Sequence, residues 1–538
     1  MKWGTAFAAV LLSSLFASAA HAGGLYLPGS GAVSTSRAGA AVASASDGEA
    51  LAINPAGLAK TEGTTITLSM AIIDYAVSFQ RRGTYDQIEG VDLPYEGQPY
   101  PVVEDNTNPA LGIGQYQPIP VFAVTTDLGG AIPGLRLAAG VYAPNSYPFR
   151  DLCVKSGSTC EEYDFAGDPN APPLPGRYDV VKRDAKLFMP TLAASYRILP
   201  NLDVGARFGW GFADLESTIH LWAAPNNVVE DVGGDGRLTI KGKDNFVPSF
   251  GGGFSFRPTP SLEIAGVYNS AISLNAKGTA SAVLGPRAGA SGVSVMVIPL
   301  PDDSALCAPG GRIGALSACI NVELPMSASL GARYKFLGDD GKERGDVELN
   351  VGWEDWGGGA TSDYAVTIDS QIVVDGSDAG VSIKPNIVRH GFQDVFNARL
   401  GGSWRFPVGA STLIARAGVA HDTAAASKGW HRLDVDGAAR TTMTIGAGYR
   451  ASRFEVNAGF GFVYEGTNDN PGTCNPTSPL PADRGCNMDG VEAPLEDRQG
   501  PDPINPIVVP TQQRQAPVNQ GTIDSHYILF MLGASTWF

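Results

Sequence analysis

From Thr64 onward, apolar residues recur at every second position, the period of a strand whose two faces meet different surroundings. In Arg453 to Phe462 one face carries Phe454, Val456, Ala458, Phe460 and Phe462, and the other Arg453, Glu455, Asn457, Gly459 and Gly461. Asn201 to Phe212 and Val347 to Trp353 repeat the alternation. This reading predicts about fourteen strands, at 64–82, 117–127, 134–145, 185–198, 201–220, 245–257, 260–280, 320–336, 345–368, 392–406, 411–424, 440–451, 453–466 and 523–538. The connections alternate in length. Pro200, Pro258-Thr259 and Ser452 make short ones, whereas Gly83–Tyr116, Ser146–Asp184 and Thr467–Thr522 are long. Tight turns on one side, long loops on the other and an even strand number are the organisation of an outer-membrane barrel. A soluble sandwich or propeller also alternates, but globular strands average about five to six residues, and several of these are longer. The expected fold is therefore all-β, a fourteen-stranded antiparallel transmembrane β-barrel spanning 62–538.

Two segments precede the strands. Met1 to Ala22 holds Lys2, an apolar run from Ala6 to Ala20 and the small-x-small site Ala20-His21-Ala22, a signal peptide that leaves Gly23 or Gly24 as the mature start. Its apolar run is too short to span a membrane as a helix. Residues 23–61 are mostly small and could form either a flexible linker or a compact plug lodged inside something larger. Within it the short apolar run Ala50 to Ile53 ends in Asn54-Pro55-Ala56-Gly57. Pro55 pushes Asn54 out of the α region, and Gly57 is expected to permit a tight reversal.

Composition narrows the function. No linker divides the 538 residues, and 67 Gly, 38 Pro and 43 % hydrophobic residues suit a turn-rich β chain. A mean hydropathy of −0.02 fits a barrel whose polar lumen offsets its lipid face. The formal net charge of −16 argues against a nucleic-acid partner. The six cysteines fall as three local pairs, Cys153/Cys160, Cys307/Cys319 and Cys474/Cys486, all in long connections. They are expected to form three loop disulfides; zinc ligation lacks C-x-x-C spacing and nearby His. No cofactor or metal is expected, and no G-x-x-x-x-G-K-[ST] sequence is present to couple transport to a nucleotide.

The stretch Ser36-Arg37-Ala38-Gly39-Ala40-Ala41-Val42-Ala43, then Asp47 to Leu51 and Asn54-Pro55-Ala56-Gly57-Leu58, resembles the N-terminal hatch of the FadL family of outer-membrane fatty-acid transporters, whose relatives import toluene and similar hydrocarbons. Leu324-Pro325, Trp353-Glu354-Asp355-Trp356 and Gly391 to Gly401 are further echoes. The apolar ending Leu532 to Phe538 resembles the signature that the barrel-assembly machinery recognises. The resemblance implies a monomer in outer-membrane lipid. It also implies passive uptake of a hydrophobic small molecule, most simply a long-chain fatty acid, alternatively an uncharged aromatic or aliphatic hydrocarbon. Loops would capture the substrate, which would pass a hatch held by Asn54, Pro55, Ala56 and Gly57 and leave sideways at a kink in the third strand. Gly140 and Pro144 are the lateral-exit candidates there, since both weaken ladder pairing. The plainer reading is that Gly140 makes room for the plug and Pro144 ends the strand.

Strand parity places Arg207, Arg333, Arg399 and Arg416 inside, where they could bind a carboxylate or form a ladder with Glu263, Glu348 and Glu455. Asp214 and Glu216 put acid where the fatty-acid branch has base, which keeps an uncharged hydrocarbon in play as cargo. A lipolytic enzyme would need a nucleophile–His–acid set. His421-Asp422 is the suggestive pair, and neighbours on a strand face opposite ways. A general porin conflicts with the plug and with the many small residues facing the lumen.

Overall fold

The computed structural model describes residues 24–538 except 62, 89, 110, 157–158, 162–169, 222–231, 285–294, 300–315, 359–360, 362, 375–380, 383–385, 427–429 and 471–520. The signal-peptide residues and Cys307, Cys474 and Cys486 lie outside the described part, and of Cys160 only the backbone is described.

Fourteen antiparallel staves close on themselves. They are β1 (Thr64–Arg81), β2 (Gln117–Thr126), β3 (Leu135–Tyr142), β4 (Lys182–Leu199), β5 (Leu202–Leu221) and β6 (Gly236–Phe256). Four staves in two pieces follow: β7 (Leu262–Asn269, Ile272–Leu284), β8 (Leu316–Leu324, Ser327–Leu337), β9 (Glu343–Glu354, Asp363–Val374) and β10 (Asn386–Arg389, Val395–Val408). β11 (Ser411–Asp422), β12 (Arg440–Arg450), β13 (Phe454–Asn470) and β14 (Gly521–Trp537) complete the wall. β14 pairs with β1 from Thr65↔Trp537 to Arg81↔Gly521, so the sheet has no free edge along that seam. Closure along this seam pairs backbone groups that would otherwise face lipid, which is why a barrel can cross a bilayer.

The outward set of the alternation forms the lipid band. Leu192, Phe254, Leu330, Leu349, Leu400, Ile445, Phe460 and Leu532 are all exposed, as an apolar face requires when lipid is its solvent. Every expected strand is present. Three differences matter. The sixth begins at Gly236 rather than 245, the seventh to tenth are interrupted, and the third stops at Tyr142 instead of 145. Pro325 sits in the eighth interruption, where it has no N–H for a ladder.

The N-terminal segment fills the lower lumen. It is built of Ala32–Thr35, Ala50–Ile53 and the 3₁₀ turn Pro55–Lys60, too short to persist alone and buried almost throughout. Barrel glycines make its seat. A Cβ on Gly205 would lie 2.4 Å from Ala56 N, one on Gly418 2.2 Å from the Arg37 carbonyl carbon, and one on Gly446 2.5 Å from Ser36 Cβ. Small inward residues thus serve close packing of the segment against the wall.

Candidate functional site

Asn54 caps the 3₁₀ turn: its Oδ1 accepts from Ala56 N at 3.1 Å, while Nδ2 donates to Val42 O within the segment at 2.9 Å and to Phe254 O on β6 at 3.3 Å. The amide therefore joins segment to wall. Pro55 opens the turn at a position where a missing N–H costs nothing. Gly57 differs from expectation. It lies inside the turn without positive φ, and its lack of a side chain lets Ala45 O approach, 2.5 Å from where a Cβ would sit.

The four candidate arginines are tied into this seat. Arg207 Nη1 donates to Leu51 O at 2.7 Å and also to Ala52 O, and Nη2 to Asn269 Oδ1 at 2.7 Å. Arg333 meets Asp346 at 2.9 Å, Glu343 at 2.7 Å and Glu263 at 3.5 Å. Arg416 meets Glu455 at 2.8 Å, and Arg399 meets Asp422 at 3.5 Å. Arg333 and Arg416 thus meet Glu263 and Glu455, Arg207 bonds backbone carbonyls and an amide, Arg399 meets Asp422, and none of the four lines the apolar cavity above the segment. Arg37, whose role the sequence reading missed, is the central tie: buried, it holds Asp346 at 2.8 Å and Glu348 at 3.3 Å. Its signal was a lone cation in a small-residue run. Asp214 and Glu216 pair with the exposed Lys243 at 3.2 Å and Lys241 at 2.9 Å. His421 is exposed beside Thr441, whereas Asp422 is buried on Arg440 at 3.2 Å.

Above the segment lies a cavity of about 200 Å³. Leu187, Leu215, Ile240, Leu274, Val322 and Phe392 are among its walls, and Leu25 of the N-terminal segment also borders it. The connection between β11 and β12, expected outside, folds inward as its cover, with Trp430, Leu433 and Asp434 buried. Leu433 packs in one cluster with Phe79 of β1. Its backbone N–H donates to Asp179 Oδ2 at 2.5 Å, and its carbonyl accepts from Arg150 Nε at 2.8 Å. Asp434 takes Arg183 at 2.9 Å, His390 at 3.0 Å and Arg432 at 3.3 Å. Burial alone would raise Asp434, but His390, Arg432 and Arg183 hold it well below the usual carboxylate range.

The cavity reaches the wall where β3 ends. Gly140 is still fully paired, between Ala123 and Thr191, and its bareness accommodates Leu51, whose Cδ2 is 2.7 Å from a notional Cβ. After Tyr142 the chain turns inward: Asn145 O accepts from Leu27 N at 2.7 Å and its amide donates to Pro28 O at 3.1 Å. Pro144 lies in this departure. β2 and β4 are thereby left apart, and Gln117–Pro120 on one edge and Ala185–Phe188 on the other both border the cavity. Pro118 and Pro120 have no N–H to leave unpaired at such an edge. Outside, Phe212 of β5, paired with Phe188, is exposed in the apolar band.

Cys153 and Cys160 lie in a long connection, as expected, whereas Cys319 is placed differently. Cys153 and Cys160 lie in a small hairpin, Arg150–Ser156 with Thr159–Glu161, within the connection from β3 to β4. In its ladder Cys160 stands opposite Lys155, and Cys153 lies just beyond the last paired residue, Val154. Cys319 lies in the first piece of β8 rather than in a loop, because that stave begins at Leu316 instead of 320. Among the described residues no thiol is free, and Cys153 and Cys319 are in the disulfide state. The Cys160 side chain and the whole of Cys307, Cys474 and Cys486 lie outside the described part, so the expected pairings Cys153/Cys160, Cys307/Cys319 and Cys474/Cys486 are not among the described contacts.

A family model described as "Outer membrane protein transport protein (OMPP1/FadL/TodX)" matches residues 13–478. A Pseudomonas aeruginosa FadL homologue is similar in structure with TM-score 0.64 and 16 % identity, over 96 % of this chain and 100 % of that one. The Ralstonia pickettii toluene transporter TbuX gives 0.55 and 13 %, over 95 % and 99 %. The P. putida toluene transporter TodX gives 0.55 and 15 %, over 95 % and 99 %. No curated protein sequence matches.

Proposed function

The chain belongs to the outer membrane transport protein family that includes FadL and TodX, an outer-membrane β-barrel, and from that premise we propose that it passes hydrophobic small molecules from its upper cavity sideways into the bilayer. The observation that carries this is one continuous apolar cavity bordered both by the inward cover and by the two edges of the gap between β2 and β4. A molecule leaving there goes from apolar wall to apolar band without full hydration, which would cost about 0.8 kcal/mol per CH₂. The exit of this reading lies at Ala143–Phe149, just above Gly140. The N-terminal segment acts as the hatch that blocks the straight path down. Transport is passive, and no catalytic step belongs to this reading.

Uncharged aromatic or aliphatic hydrocarbons fit the cavity best, because its cations are already matched. Arg432 is paired with Asp179 at 2.5 Å and Arg183 with Asp434 at 2.9 Å, so a carboxylate would have to displace a buried acid from its partner. Long-chain fatty acids are the second reading, carried by Lys186 beside the opening, whose partner Asp184 at 2.7 Å is itself only half-buried, so that a head group could stay near the surface while the tail enters. Uptake of labelled toluene and labelled oleate into cells whose sole importer is this protein tests both. Saturable entry of toluene alone is expected. Entry of oleate alone would overturn the hydrocarbon preference, and entry of neither would overturn the transport reading.

A further inference from the structure

On the side of the short turns, beneath the N-terminal segment, a second cavity of about 350 Å³ lies between the segment's last turn and the barrel wall. It is as cationic as the upper one is apolar. Lys60 contributes from the segment, and Arg136 of β3, Arg197 of β4, Arg257 just beyond β6, Arg333 and Lys335 of β8 and Arg405 of β10 contribute from the wall. Glu343 is the one carboxylate among the described residues on its surface.

The acids behind these cations are shared. Asp203 takes both Arg197 at 2.8 Å and Arg257 at 2.6 Å, and Glu263 both Lys60 at 2.6 Å and Lys335 at 3.0 Å. Glu343 takes Arg333 at 2.7 Å and Arg405 at 2.6 Å, while Asp346 divides itself between Arg333 and Arg37. Arg136 meets no carboxylate among the described residues. Its Nε donates to Thr61 O at 2.8 Å and its Nη1 to Leu135 O at 2.9 Å, so its charge is steered into place by backbone. Cations here thus outnumber the described acids that serve them, in a chain of formal net charge −16. Like charges held in a recess focus a positive potential there. An entering anion relieves their repulsion, and guanidinium forks suit the oxygens of phosphate or carboxylate.

We propose that this cavity is an oxyanion site, open to the periplasmic side, which takes a phosphate or carboxylate group between Lys60 of the segment and Arg136 of β3. The bound group ties the exit of the N-terminal segment to the strand that ends at the lateral gap. The site would be filled either by free phosphate or by the carboxylate of a small organic acid, and it stands whichever cargo the upper cavity carries.

Titration calorimetry on the full-length protein in uncharged detergent, at constant ionic strength in chloride, tests this with inorganic phosphate and with hexanoate as separate probes. Saturable one-to-one binding of phosphate, hexanoate or both is expected, weakened about tenfold in Arg136→Gln. Arg405→Gln, which touches neither Thr61 nor the segment's backbone, is expected to weaken it as well, so that the loss cannot arise from a displaced segment. Binding of phosphate alone identifies free phosphate as the occupant. Competition by hexanoate identifies the carboxylate source. Absence of saturable binding for both probes, or unchanged affinity in both variants, overturns the proposal.

Discussion

The side-chain amide of Asn54 occupies the space that a side chain on Gly253 would need: a Cβ there would stand 2.2 Å from Asn54 Oδ1. Asn54 is fully buried and bonded on both sides, so it has nowhere to retreat. Gly253→Val is expected to lift the N-terminal segment from its seat while leaving the barrel closed, because wall stability resides in the strand ladders. Asn54→Ala should loosen the segment by about 1 to 3 kcal/mol, the range for a lost cap with buried carbonyls left unpaired. Raised single-channel conductance and proteolysis within 24–61, with heat-modifiable migration retained, are the readouts. Failure of Asn54→Ala to assemble would make the segment a folding element instead.

Ala185 stands at the opening left where β3 ends. Filling it with Ala185→Trp should lower uptake at least about tenfold, the effect of an added barrier near 1.4 kcal/mol. A disulfide placed lower, across the β3–β4 ladder at the level of Gly140, should leave uptake unchanged, since that ladder is already closed. Full transport by Ala185→Trp would mean that cargo descends past the N-terminal segment.

Asp434 anchors the inward cover, and its pH dependence has a definite sign. A carboxyl held below its ordinary value contributes stability that is complete above the usual carboxylate range, near pH ~4, and is lost as pH falls through the lower folded value. Asp179 of the same cluster is raised, chiefly by burial, and works in the opposite sense. Comparison with Asp434→Asn isolates the first effect. At neutral pH that variant removes the carboxylate shared by Arg183, Arg432 and His390 and should weaken the cover by about 3 kcal/mol. Hydrogen exchange at the Leu433 amide, which donates to Asp179, reads this directly. In acid, wild type and variant should converge.

The cysteine pairs, Cys153 with Cys160 among them, are expected to form three local disulfides, each restricting the unfolded chain by about 2 to 3 kcal/mol. Maleimide should label none of the six in unreduced, denatured protein. Six labelled thiols would exclude the disulfides.

The sequence by itself determined the staves of the barrel, their order and which side chains face lipid. A strand's two-residue period is a local property, and loop lengths alternate along the chain whatever the tertiary packing. It also marked Asn54 and Pro55, since capping and proline chemistry act over a few residues. Gly140, Arg207 and the acids at 214 and 216 were legible as to type but not as to partner. A glycine that weakens a ladder and a glycine that admits Leu51 have the same sequence. The direction of Asp214 and Glu216 depends on pairing with Lys243 and Lys241 across a bulged ladder between Gly211 and Ala213. Tertiary structure alone decided the rest: the inward fold of Trp430 to Asp434, the early end of β3 at Tyr142 and the gap between β2 and β4. These depend on contacts such as Leu433 with Phe79 and Asn145 with Leu27, which join residues far apart in the chain, and no local period records which distant surface a segment will find.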